Sequence, residues 1–175
     1  VDSGQAVLSD NDDPSFEAID PMVFRDPISS KYYLYVGGSA GAKLRIFELN
    51  DDIKSISQEI LATTPFNFTE GAFMHYRNGI YYLSYSHGQY RYDTYSVHYA
   101  TSSTPLGPWN YKGAILVSND DYKGRGHHSF LYNSEDDEWY IFYHRWENVE
   151  GSGPYSGSRV IAIDYLRYDE DGQIK

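Results

Sequence analysis

Short runs of apolar and aromatic residues recur along the chain with turn-forming clusters between them, and few stretches keep a 3.6-residue period. The runs Lys31–Val36, Lys43–Leu49, Ile80–Tyr85, Ser96–Ala100, Ala114–Val117, Glu138–Tyr143 and Arg159–Leu166 read as β-strands. Asp26-Pro27, Gly37-Gly38, Asn78-Gly79, Asn119-Asp120-Asp121, Glu135-Asp136-Asp137 and Asp171-Gly172 supply turn chemistry between them. The best helix candidate, Asp51–Ala62, is short and poorly patterned. No apolar run exceeds about five residues, against the roughly 20 of a membrane-spanning helix, so a soluble chain with no membrane role is expected. Nothing after Val1 resembles a signal peptide, which leaves the compartment open.

Three segments share one plan: AIDPMVFRDPISSKYYLYVGG from Ala18, TEGAFMHYRNGIYYLSYSHG from Thr69, and GHHSFLYNSEDDEWYIFYHRW from Gly126. In each, a polar residue precedes a short apolar strand, a turn follows, and an aromatic strand closes the hairpin. The polar residue stands 13, 12 and 13 positions before the matching tyrosine, pairing Asp20 with Tyr33, Glu70 with Tyr82 and His127 with Tyr140. A repeat of roughly 50–60 residues built of four short strands is the size of a β-propeller blade. The expected fold is therefore all-β, with about three blades over residues 1–64, 65–119 and 120–175. Propellers close with roughly 4–8 blades, so three imply further blades elsewhere. A self-sufficient β-sandwich is the competing architecture.

Composition narrows the chemistry. The 175 residues include no cysteine, which removes disulfides, zinc-thiolate sites and a thiol nucleophile. A net charge of −11 argues against nucleic acid and anionic membranes as partners. Nineteen tyrosines, three tryptophans and eight phenylalanines suit neutral polar ligands such as sugars, although a β-rich fold alone accounts for most of them. Residues at the start of each blade's innermost strand converge at one mouth of the axis, so Asp20, Glu70 and His127 are expected to meet there. Such a trio suits hydrolysis or ion binding, against the plainer readings of a turn opener, a solvated loop residue and a hydrogen-bonded bend.

At these residues the chain resembles glycoside hydrolase family 43, five-bladed propeller enzymes acting on arabinose- and xylose-containing polysaccharides. The likeness runs from about Ala18 to Gly172 and is strongest in IDPMVFRD, EGAFMHYRNGIYYLSYS and GRGHHSFLYNSEDDEWYIFYHR. It implies that Glu70 is the general acid and that Asp20 orients it and raises its pKa. It further implies that His127 helps hold a hydrated calcium ion at the axis and that Arg159 reaches the substrate. An inverting mechanism also needs a second carboxylate about 6.5–9.5 Å away to activate water. The family places that base in an Asp-Pro motif of a first blade, and no such blade precedes Ala18; Asp13-Pro14 reads as linker. The expectation is that two N-terminal blades lie on a separate chain or fragment, or that self-association completes the ring. Phe73, Trp146 and Tyr155 are candidate stacking faces for a xylo- or arabino-oligosaccharide. The preferred reading is a β-xylosidase or α-L-arabinofuranosidase. The alternatives are an endo-arabinanase or exo-galactanase, a fructan-type five-bladed enzyme, or a non-catalytic carbohydrate-binding subunit.

Overall fold

A computed structural model of the chain describes residues 4, 6–9, 13, 15–39 and 41–175; Val1, and Pro14 of the Asp13-Pro14 pair, lie outside them. The first sheet holds β1 (Met22–Arg25), β2 (Tyr32–Val36), β3 (Arg45–Leu49) and β4 (Ile56–Ile60). The second holds β5 (Glu70–Arg77), β6 (Ile80–His87), β7 (Ser96–Ser102) and β8 (Asn110–Leu116). The third holds β9 (Tyr122–Asn133), β10 (Glu138–Glu147) and β11 (Val160–Leu166). Each sheet is an antiparallel meander, and local turns set its register. Between β5 and β6, Asn78 and Gly79 both take positive φ, 50° and 83°, the conformation a tight hairpin needs to match the twist of its strands. β5 lies against both β1 and β9, so the first strands of the three sheets stand side by side about one axis.

The weak helix candidate Asp51–Ala62 holds a turn and a strand. Asp52 Oδ1 accepts the backbone N–H groups of Lys54 and Ser55, which closes a turn, and Ile56–Ile60 then pairs with β3. A bidentate contact from Arg45 to Glu59 crosses that ladder. Strand pairing satisfies the backbone there, which a helix with no coherent apolar stripe would not.

Two apolar layers hold the sheets together. Tyr33, Tyr35 and Ile46 of the first sheet pack on Met74, Tyr81, Leu83 and Tyr85 of the second. Val97 and Leu116 of the second pack on Phe130, Ile141, Tyr143, Ala162 and Leu166 of the third. Burying each such side chain contributes about 1.5–3 kcal/mol. The tyrosines fit because their hydroxyls find partners: Tyr35 donates to the Pro105 carbonyl, Tyr85 to that of Phe66, and Tyr81 to Asp26 Oδ1. The other face of the third sheet carries Leu131, Ile161, Ile163 and Tyr165, all at least half exposed. No helix among the described residues is long and apolar enough to cross a membrane.

Candidate functional site

Each sheet's first strand is marked by a left-handed backbone kink, two residues before β1, at the second residue of β5 and inside β9. Asp20, Gly71 and His127 have φ of 54°, 63° and 49°. Each stands four positions before the residue that pairs with the repeat tyrosine: Phe24 with Tyr33, His75 with Tyr82, Leu131 with Tyr140. The structural counterpart of Asp20 and His127 is therefore Gly71, and Glu70 lies one residue upstream of the kink. A β-bulge between Glu70 and Phe73 accommodates the offset. The repeat tyrosine still follows Glu70 by only 12 positions, because the β5–β6 hairpin is two residues shorter than the other two and hides the offset.

Two of the kinks are bonded directly, and the third is tied to Ser86, the strand partner of Glu70. Gly71 N–H donates to Asp20 Oδ2 at 3.0 Å, and His127 N–H donates to Ser86 Oγ at 2.9 Å. A Cβ added at Gly71 would stand at ordinary contact distance, 3.5 Å from Ser86 Oγ and 3.6 Å from His127 Nδ1, so it is the φ of 63° that disfavours a side chain there. Asp20, Glu70 and His127 consequently bring one donor atom each within 4.8 Å of the others. His127 Nε2 lies 3.9 Å from Asp20 Oδ1. Burial pushes the Asp20 carboxyl up; His127 opposes that and the Glu70 carboxylate adds to it.

Glu70 is held at both oxygens. The Tyr95 hydroxyl donates to Oε1 and the Ser39 hydroxyl to Oε2. Tyr95 is itself fully buried, its ring parallel to that of His144 at 5.5 Å and pressed against Gly126. His144 accepts from Arg159 Nη1 at 2.7 Å, and its pKa is pushed down to about 3 by burial and by the Arg159 guanidinium, which keeps it a neutral acceptor. Glu70 lines a cavity of about 370 Å3 with Ser39, Gln89 and Tyr90, while Asp20 and His127 line a neighbouring one of about 270 Å3 with Phe73.

Of the other residues singled out in the sequence, Arg159 is exposed and reaches the rim of the Glu70 cavity, its guanidinium 5.2 Å from the Tyr90 ring. Trp146 and Tyr155 are only 4% exposed and pack on each other, so neither presents a ring face to a ligand. The Trp146 indole N–H instead donates to the Tyr90 carbonyl at 2.9 Å and fixes the segment that carries Tyr90 to the cavity. Tyr95 and Ser39 were not marked by any motif. The tyrosine is one of nineteen, and its partner lies 25 residues away.

A divalent cation has a partial cradle here. Both Glu70 oxygens and Asp20 Oδ2 already accept hydrogen bonds, which leaves Asp20 Oδ1 and the His127 ring. Calcium takes roughly 6–8 oxygen ligands, so this donor set fits an ion that keeps most of its water.

The family described as glycosyl hydrolases family 43 matches residues 3–174. A β-D-galactofuranosidase of Aspergillus niger is 33% identical over 90% of this chain and 45% of its own length. A xylosidase/arabinosidase of Bacteroides ovatus is 29% identical over 90% and 56%. Among solved structures, an α-L-arabinofuranosidase of Clostridium thermocellum is 31% identical with a TM-score of 0.72, over 91% of this chain and 52% of its own. A xylan β-1,4-xylosidase of Bacillus halodurans reaches a TM-score of 0.77 at 20% identity, over 90% and 33%. The chain thus spans about half the length, or less, of these relatives. Its three sheets are blades of the five-bladed β-propeller those structures share, not the halves of a sandwich. Matched over nearly all of its residues, the chain belongs to glycosyl hydrolase family 43.

Proposed function

We propose that the chain carries the acid side of a glycoside hydrolase site that releases terminal β-D-xylose or α-L-arabinofuranose from hemicellulose with inversion. The observation that carries this reading is a glutamate fixed at both oxygens and faced by an aspartate at the mouth of the axis. A glycosidic oxygen leaves through an oxocarbenium-like transition state and needs a proton delivered along a fixed line. Tyr95 and Ser39 set that line for Glu70. Asp20 anchors Gly71, the residue after Glu70, and so fixes the backbone that carries the acid. The water-activating base comes from outside these three blades. His127, with Asp20 Oδ1, would hold a hydrated calcium ion, whose chemistry there is to position charge at the axis.

The test compares the chain, supplied with whatever completes its propeller, with its Glu70→Gln variant on aryl β-D-xyloside and aryl α-L-arabinofuranoside. A loss of about 10²–10⁴-fold is expected on whichever is hydrolysed; equal rates would remove Glu70 from the role, and a purely carbohydrate-binding subunit would hydrolyse neither. Aryl β-D-galactofuranoside belongs in the same series, because the relative at 33% identity is named for that sugar. Exhaustive chelation should lower the thermal midpoint or the rate; no change in either would remove the ion from His127.

A further inference from the structure

β5 runs the length of the axis, with Glu70 opening it and Arg77 closing it. Seven residue steps of about 3.3 Å put Arg77 roughly 20 Å from the acid, at the opposite mouth. Two abutting cavities of about 510 and 320 Å3 lie there and share Arg77, Asp137 and Trp139. Each falls within the roughly 300–1,000 Å3 of small-molecule sites. The larger is completed by Tyr76, Asn78 and Tyr132, so the indole of Trp139 stands midway along a groove walled by aromatic rings.

The rings are set before any ligand arrives. Tyr132 and Trp139 are cross-strand partners with ring centroids 5.2 Å apart. The Tyr132 hydroxyl donates to Asp137 Oδ1 at 2.7 Å, yet the residue stays 44% exposed. On the far side of Trp139, the Arg77 guanidinium lies 4.2 Å from the Tyr168 ring centroid. Fixed aromatic faces beside a guanidinium, an amide and a carboxylate match a sugar ring, which presents C–H patches for stacking and hydroxyls for hydrogen bonds. Arg77, Arg167 and Lys175 are countered along the groove by Asp137 and Glu138, a mixed lining that favours a neutral hydroxyl-rich ligand over a polyanion.

We propose that this opposite mouth is a second, non-catalytic saccharide-binding site that takes an internal stretch of a neutral pentose oligosaccharide and anchors the enzyme to polymeric substrate. The sugar class rests on the proposed function; the site itself rests on the groove. Its test is affinity electrophoresis of the chain, again with whatever completes its propeller, through arabinoxylan, in a Glu70→Gln background so that the polymer is not consumed. Tyr132→Ala and Trp139→Ala should each weaken retention about fivefold or more, the size expected from losing one stacking ring. In the otherwise unaltered protein, Tyr132→Ala should leave aryl-glycoside hydrolysis as it was. Unchanged retention in Tyr132→Ala with an intact circular-dichroism spectrum, or no retention of the parent, would overturn the proposal. Tyr132 is a surface residue, so its variant decides the matter even where Trp139→Ala does not fold. Failure to hydrolyse any aryl glycoside would sink the proposed function while retention still judged this site.

Discussion

Under the proposed function Glu70 delivers a proton along one line and cannot be left to rotate, and two hydroxyls prevent it. Tyr95 is the more consequential of the two, because its buried ring is wedged between His144 and Gly126 and cannot turn away. Tyr95→Phe should keep that packing and delete only the hydrogen bond. The expected result in steady-state kinetics is a fall in kcat of about tenfold with KM little changed, the signature of a group that positions the acid rather than binding substrate. A rise in KM at constant kcat would instead place Tyr95 in ground-state binding.

Blade contacts set the site at the scale of strands. Gly38, which follows β2, packs against the start of β5 so closely that an added Cβ would lie 2.5 Å from Glu70 Cβ and 2.8 Å from its Cα. Gly38→Ala should displace Glu70, lowering the urea midpoint and the rate of the proposed hydrolysis, with a stability loss of about 1–3 kcal/mol. Strand existence was legible because alternation and turn chemistry agree: each of the seven runs marked in the sequence overlaps a strand. The strand inside Asp51–Ala62 was not legible because an Asx turn and an edge strand leave no periodic signature, and pairing with β3 decides the structure. The convergence of Asp20, Glu70 and His127 could be anticipated from the repeat, whereas the one-residue offset at Glu70 could not. It lies in the sign of a backbone angle that only Gly71 hints at. The burial of Trp146 likewise depends on Tyr90 and Tyr155, which no local pattern ties to it.

For the molecule as a whole, the interior contains ionisable groups held neutral. His75 lies between the second and third sheets, stacked on Tyr82 and flanked by Phe130 and Trp139, and burial depresses its pKa to about 3. His98, beneath β8, is pushed down to about 4 by burial and then by His87. In the unfolded chain both bind a proton near pH 6.5, so the unfolded state gains protons first as the pH falls. Stability should be full above that pH and decline between about 6.5 and 3–4, by about 1.4 kcal/mol per pH unit for each histidine while only the unfolded form is protonated. Urea denaturation at several pH values measures it, and His75→Phe should flatten the slope; an unchanged slope would mean that His75 titrates normally.

The open face of the third sheet has a colloidal consequence. Ile161, Ile163, Tyr165 and Leu131 form a sticky patch on a particle of charge −11, so short-range attraction competes with long-range repulsion. The balance belongs to the ionic strength: at 0.01 M salt the repulsion reaches roughly 30 Å, but near 0.15 M only about 8 Å. Dilute buffer keeps such chains apart, and ordinary saline lets their uncovered blades find something to cover them.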